Sequence, residues 1–416
     1  MRVRLCCAAL LLVLSITAFP VSARAIQDTV IVRADNPPKW GADLVLREEW
    51  RVGSLLGEVE ESFGNVAAVA PAPDGTVLIA DGLAPAIRRF SDDGEYLSTV
   101  GGAGEGPAEY REITGLEVLI DGTVILVDGR LARITRMSLE GIEESTTPML
   151  GGFFSIHRTV QIGRDGTVYH NRMIPASGED YGSGNLEYVW MVYPPGEGTP
   201  DTIQVPPEDP SGPRLTLRTA DGDRTPFTVK TLNWMSPVGG LVWGRNDEYV
   251  LASDLGDKGI QRIRRNADEI PVTNPEWRQW TAILNARRRQ GGVRQPRVPN
   301  QKPYFRDLWI DAEGRIWVER YVPAVRHEYT EEELARRSQD QPLYEWREPT
   351  VFDIIDSSGL YLGQLILPER THLVYARGDL IWAVQIGEYD ESYVVRYRIE
   401  PNRESEFSES EGPTGQ

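Results

Sequence analysis

Cysteine, lysine and histidine are scarce in this 416-residue chain, and long apolar runs are confined to its start. Both cysteines, Cys6 and Cys7, fall within residues 1–25. Those residues read as a secretory signal peptide. Arg2 and Arg4 form a basic n-region, Leu5 to Phe19 an apolar h-region, and Ala23-Arg24-Ala25 an A-x-A cleavage site. The apolar run is short for a bilayer span. Both cysteines lie at its very start, whereas a lipid-accepting cysteine follows such a run. Cleavage leaves no cysteine, which excludes disulfides and thiolate metal ligands from the mature protein. It also removes three arginines and no acid, so the formal charge goes from −18 to −21. That charge makes nucleic acid a poor partner for the molecule as a whole. No later stretch resembles a transmembrane helix, and a periplasmic or extracellular monomer is expected.

What the chain has in plenty is glycine, in a repeating phrase. Asp74-Gly75-Thr76-Val77-Leu78-Ile79-Ala80-Asp81 returns as Asp121-Gly122-Thr123-Val124-Ile125-Leu126-Val127-Asp128 and as Asp165-Gly166-Thr167-Val168-Tyr169. Weaker copies surround Gly240, Gly314 and Gly378. The gaps between the six glycines are 47, 44, 74, 74 and 64 residues. The first two equal one four-stranded propeller blade, and the longer ones equal a blade plus an insertion. Each glycine supplies the positive φ of a tight hairpin. A second hairpin follows at Gly94, Gly141, Gly196-Glu197-Gly198, Gly259 and Gly359, giving six first hairpins and five second ones. The sixth unit therefore lacks an outer strand, while Leu44–Ser54 has strand character and no hairpin partner. The economical solution is an all-β, six-bladed β-propeller closed by its N-terminal strand, which also hides the sheet edges. The domain reading is a signal peptide over 1–25, a linker over 26–43, the propeller over 44–400 and a disordered acidic tail over 401–416.

Three stretches resemble the six-bladed β-propellers of the NHL-like kind, common among exported bacterial proteins. Gly101-Gly102-Ala103-Gly104-Glu105-Gly106-Pro107-Ala108-Glu109-Tyr110 is similar to that family's connection between blades, with Ala108 in place of Gly and Tyr110 in place of Phe. The Asp-Gly-Thr-Val phrase followed by Arg88-Arg89-Phe90 or Arg133-Ile134 is similar to the repeat core. Lys302-Pro303-Tyr304-Phe305 through Trp317-Val318 is similar to a later blade. The resemblance spans about residues 44–400 and implies the fold. Its members include binding proteins, lyases and lactonases, so it leaves function open.

Calling the strands of a blade A to D, the B–C loops and blade-to-blade connections share one face. The long insertions fall there: Met173–Asn185, Val322–Glu348, Gly101–Glu112, Pro206–Thr228 and Ala267–Pro303. Loops on a rigid scaffold are where binding develops, so this is the expected functional face. Six or seven residues past the turn glycines, at the B-strand ends, stand Asp81, Asp128, Arg172, Asn246, Arg320 and Gln385. With Asn65 and Glu112 they are the candidate ligand contacts. The competing reading is structural, since a strand-end Asp satisfies loop N–H groups. Two helical insertions are expected, about 267–303 and 322–348. In the first, Trp277, Trp280, Ile283 and Leu284 predict an amphipathic helix over Pro275–Arg289. It belongs to a basic stretch holding Arg278, Arg287, Arg288, Arg289, Arg294, Arg297, Lys302 and Arg306. That stretch suits either an anionic ligand or, as we favour, neutralisation of the acidic body. In the second, Thr330–Ser338 opens like a helix N-terminus.

The Gly-rich stretch 101–106 has no Lys-Ser/Thr of a phosphate loop, and Gly182-Ser183-Gly184 lacks the spacing of a nucleophile elbow. His157, His170 and His372 are weak zinc candidates, because the first two share the third blade and the last lies in the sixth. Asp81, Asp128, Asn246 and Glu112 offer oxygens of the kind calcium takes, but the arginines at two strand ends oppose a central cation. No cofactor is therefore expected. The leading expectation is an exported, non-catalytic propeller that binds a protein, peptide or glycan through its loop-rich face. The alternatives are a metal-dependent propeller hydrolase or lyase, and a structural cell-envelope module.

Overall fold

The computed structural model describes residues 29–41, 44–150, 160–175, 186–196, 198–205, 227–288, 299–336 and 343–402. The stretch read as a signal peptide, His157, most of the 173–185 and 206–228 loops, the arginines at 289, 294 and 297, and residues 403–416 lie outside them.

Six blades form the ring. Blade 1 comprises Val66–Pro71, Val77–Asp81, Ala86–Phe90 and Tyr96–Val100. Blade 2 comprises Ile113–Val118, Val124–Asp128, Arg133–Met137 and Glu143–Pro148. Blade 3 comprises Val160–Ile162, Val168–Pro175, Leu186–Tyr193 and Asp201–Gln204. Blade 4 holds Thr231–Met235, Leu241–Arg245, Val250–Asp254 and Ile260–Arg264. Blade 5 holds Phe305–Ile310, Ile316–Arg320, Val351–Ile355 and Tyr361–Ile366. Blade 6 is Thr371–Arg377, Leu380–Ile386 and Ser392–Pro401, completed by Leu44–Val52. That closing strand is antiparallel to Ser392–Pro401, from Leu44 opposite Pro401 to Val52 opposite Val394. The chain is thus a six-bladed β-propeller shut by its N-terminal strand.

The Asp-Gly-Thr phrase builds the A–B turns for a local chemical reason. In blade 1 the Ala72 N–H donates to the Thr76 carbonyl (2.7 Å) and the Gly75 N–H to the Ala72 carbonyl (3.2 Å), with Gly75 at φ 90°. This is a turn ending in a left-handed glycine bulge. Asp74 accepts the Thr76 N–H at 3.0 Å, as Asp121 does for Thr123 and Asp165 for Thr167. After the turn, the B strands Val77–Asp81 and Val124–Asp128 are buried at every residue. Their unbroken apolar runs follow from neighbouring blades covering both faces of the sheet.

The core lies between blades. Six apolar clusters occupy the six blade interfaces among the described residues. Leu78 meets Leu126 between blades 1 and 2, and Val127 meets Val168 between 2 and 3. Trp190 meets Met235 between 3 and 4, and Leu251 meets Phe305 between 4 and 5. Trp317 meets Ala383 between 5 and 6, and Trp382 meets Ile79 between 6 and 1. The closing strand serves two of them, with Leu44 in the 5–6 cluster and Trp50 and Val52 in the 6–1 cluster.

Within the stretch read as a linker, residues 29–41 pack on the ring. Thr29–Arg33 is a fifth strand on blade 4, parallel to Ile260–Arg264. The chain then crosses the outer edge of blade 5, where Asn36 exchanges hydrogen bonds with the Tyr361 backbone and Trp40 N–H donates to the Leu362 carbonyl. Residues 29–41 and 44–52 therefore strap blades 4, 5 and 6 together. Two helices sit on the loop-rich face, α1 (Asn274–Arg288) and α2 (Glu331–Arg336). Each opens with a capping box, Thr273 with Glu276 and Thr330 with Glu333. No helix among the described residues is long and apolar enough to cross a membrane.

Candidate functional site at the channel mouth

The B-strand ends sit at the loop-rich rim, and three of them are clamps. Asp81 is 1% exposed and accepts backbone N–H bonds from Gly64, Asn65, Leu83 and Ala84. Asp128, equally buried, does the same for Arg111, Glu112, Arg130 and Leu131. A carboxylate has about four lone-pair positions, and each of these aspartates receives four backbone N–H bonds, three on one oxygen and one on the other. Asn246 is fully buried, accepts the Lys230 N–H and donates to the Phe305 carbonyl. All three therefore hold backbone, the role that the competing structural reading gave a strand-end polar residue. Asn65 and Glu112 are the backbone those aspartates hold.

Arg172 and Arg320 turn back into the scaffold. Arg172 donates to the Leu150 carbonyl at 2.5 Å. Arg320 donates to the Tyr304 carbonyl and pairs with Asp353 at 2.7 Å, its guanidinium lying over the Tyr249 ring. Asp353 is fully buried and also accepts from the Tyr249 and Tyr361 hydroxyls, with Arg265 at 3.4 Å. Burial alone would raise its pKa, but the two guanidiniums outweigh that and hold it below the usual carboxylate value. Gln385 is half-buried, between Thr371 and Tyr393 in register.

The mouth chemistry lies instead between blades 4 and 5. Asp307 and Glu319 face each other in register on the two inner strands of blade 5. Like charges so placed repel. The surrounding protein raises both carboxyls above their ordinary pKa, although Asp307 is itself exposed to solvent, and Asp307 and Glu348 push Glu319 further, against Arg306 and Lys230. Arg306 binds Glu348 at 2.8 Å and lies over the Tyr321 ring. Behind it, the wholly buried Lys302 ammonium contacts Glu276 (2.5 Å), Glu348 (3.2 Å) and the Val322 carbonyl (2.8 Å). Lys302 and Arg306, two members of the basic stretch, thus neutralise the protein's own acids.

The two insertions meet beside this mouth. Gln279 of α1 donates to the Trp346 carbonyl and accepts its N–H, at 2.9 and 2.8 Å. Trp346–Arg347 pairs with Val325–Arg326 in a short hairpin. Trp280 stands edge-on to Tyr344 and to Phe227, and Phe227 also packs on Tyr321.

At the other end of the channel lies a residue that the sequence reading passed over. Glu117 accepts the Tyr375 hydroxyl at 3.1 Å and has Arg377 at 3.7 Å. Its side chain is 18% exposed yet ringed by protein, and burial raises its pKa to about 7 against the pull of Arg377, Tyr375 and Arg164. One signal was available. Five residues before the six turn glycines stand Ala70, Glu117, Gln161, Met235, Trp309 and Leu373, and only one is ionisable.

Among the described residues no three His, Cys, Asp or Glu side chains group as metal ligands do. His170 and His372 sit in blades 3 and 6, on opposite sides of the ring.

Residues 62–177 match the model of a family described as a 6-bladed beta-propeller, DUF5128. A member of the DUF4221 family from Bacteroides vulgatus superposes with a TM-score of 0.50 at 10% identity, over 88% of this chain and 100% of that one. A Bacteroides fragilis protein described as a candidate for export gives 0.48 at 12% identity, over 90% and 100%. Virginiamycin B lyase from Staphylococcus aureus gives 0.38 at 11% identity, over 87% and 89%. No curated protein matches the sequence. At these identities the likeness extends to the fold alone.

Proposed function

We propose that this chain is an exported, non-catalytic propeller of the NHL-like kind that binds a protein, peptide or glycan through its loop-rich face, as a monomer without a bound cofactor. The observation that carries this reading is the docking of two separate insertions into one wall beside the channel mouth. The ring needs neither insertion for closure, yet α1 and the Val325–Arg347 hairpin exchange hydrogen bonds through Gln279 and Trp346. Aromatic side chains with carboxylates beside them give such a wall flat apolar area and acceptors for hydroxyl or amine donors. The test is binding to peptide and glycan arrays by the mature protein and by a variant with residues 323–347 replaced by a short turn. Binding should be lost in the variant while the ring stays folded. Full binding after that replacement would sink the reading.

A second reading, a metal-dependent hydrolase or lyase, is favoured by one observation. The in-register Asp307–Glu319 pair has raised pKa values, as an acid–base pair requires. Elemental analysis with thermal melting before and after EDTA separates the two. Stoichiometric metal, and lactone turnover abolished by Asp307→Asn, would select the enzyme.

A further inference from the structure

The tight-turn end of the channel is laced by bonds between blades that are not neighbours. Tyr375, on the innermost strand of blade 6, reaches Glu117 on the innermost strand of blade 2. Arg164, in the A–B turn of blade 3, donates to the Ala312 carbonyl in the turn of blade 5 at 2.6 Å, while its own N–H is held by Pro237 of blade 4. In a ring of six, a direct bond between blades two apart has to cross the opening. Neighbouring blades add further links. The Ala312 N–H donates to the Ala376 carbonyl, the Gly378 N–H to the Glu313 carboxylate, and Arg377 to the Pro71 carbonyl.

The centre of this lacing is a polarised chain. Arg377 donates to the Tyr375 hydroxyl at 2.6 Å, and that hydroxyl donates to Glu117. The groups facing Glu117 are Tyr375 and Arg377 from blade 6 and Arg164 from blade 3. The flanking strand Val66–Pro71 of blade 1 has no titratable side chain.

We propose that Glu117, Tyr375 and Arg377 form a proton-operated latch that shuts the tight-turn end of the channel, making it a well open only on the loop-rich face. With the carboxyl protonated, Glu117 has no charge to desolvate and accepts the tyrosine hydroxyl. Once it ionises, burial penalises the charge more than the two arginines repay, and the lacing loosens toward water. The carboxyl changes state near neutrality because burial disfavours its charge.

Hydrogen exchange read by mass spectrometry tests this, with rates corrected for intrinsic chemistry. Peptides covering 311–315 and 371–379 should exchange on the order of tenfold faster at about pH 8 than at about pH 6. Glu117→Gln, a permanently neutral isostere, should exchange slowly at both. A peptide on the outer strand Tyr96–Val100 should not change in either protein. The latch is refuted if the wild type shows no pH step, if Glu117→Gln keeps it, or if the outer strand moves equally. If Glu117→Gln does not fold, Tyr375→Phe serves, since loss of the hydroxyl should raise exchange at the lower pH. Unchanged exchange in that variant counts against the latch.

Discussion

Glu49 and Arg398 meet at 2.6 Å although 349 positions separate them in the chain. Arg396 reaches the same carboxylate at 2.9 Å. These contacts lie on the seam where Leu44–Val52 completes blade 6. The seam is apolar as well as ionic, since Leu44, Trp50 and Val52 are buried in the two flanking interfaces. Each such side chain is worth about 1.5–3 kcal/mol, a large part of a typical domain's net stability. Deleting residues 44–54 should therefore collapse the urea midpoint of the mature protein. A truncated chain that unfolds at the original midpoint would mean that the ring does not depend on this strand.

Lys302 holds the insertion wall from beneath. Its ammonium is fully buried between Glu276 and Glu348. Replacing it with Met keeps the volume but strands two buried carboxylates, at a cost of about 3–5 kcal/mol. Lys302→Met should expose α1 to limited proteolysis well before the blades unfold, and adding Glu276→Gln should restore part of the loss. Equal protease resistance in the single variant and the wild type would show that the network does not hold the helix.

Asp81 is expected to act through the backbone it binds. Four N–H groups lose their acceptor in Asp81→Ala, and stranded groups of this kind cost about 1–3 kcal/mol each where water cannot replace the partner. The connection before blade 1 and the B–C turn after residue 81 should lose exchange protection together, with a stability loss of about 2 kcal/mol or more. If only ligand binding changed, with no loss of protection, Asp81 would be a contact and not a clamp.

The blades were legible because their turns need glycine chemistry and their B strands need unbroken apolar runs, both of which are local. Closure was legible because strand supply and demand had to balance. The strap was hidden for the opposite reason. Thr29–Arg33 pairs with Ile260–Arg264, and nothing near either segment announces the other. The strand-end aspartates were correctly located, but one residue type serves as clamp or as ligand contact, and hydrogen-bond geometry decides between them. The Asp307–Glu319 pair follows from counting back from the Gly314 turn, since the bulge between Phe305 and Asp307 lies beyond it, but only the B-strand ends were read. Glu117 and Tyr375 stand on the inner strands of different blades, and no local count joins them.

Glu117 gives the protein a distinctive pH profile. Its carboxyl is raised from 4.5 to about 7 in the folded state, so the folded chain holds that proton more tightly than the unfolded one. Stability from this group is complete below the unfolded value. It is lost as pH rises from about 4.5 to about 7, by about 3 kcal/mol at 1.36 kcal/mol per unit. Asp353 has the opposite sign. Its lowered pKa contributes stability above the ordinary aspartate value of 3.8, which is lost only in stronger acid. The two windows do not overlap, but the raised Asp307 and Glu319 act with the same sign as Glu117, so the difference between wild type and Glu117→Gln from about pH 4.5 to about pH 8 is what reads Glu117. Glu117→Gln should flatten the decline and be the more stable protein at the alkaline end. A variant whose profile runs parallel to the wild type across that range would show that Glu117 titrates where an ordinary glutamate does.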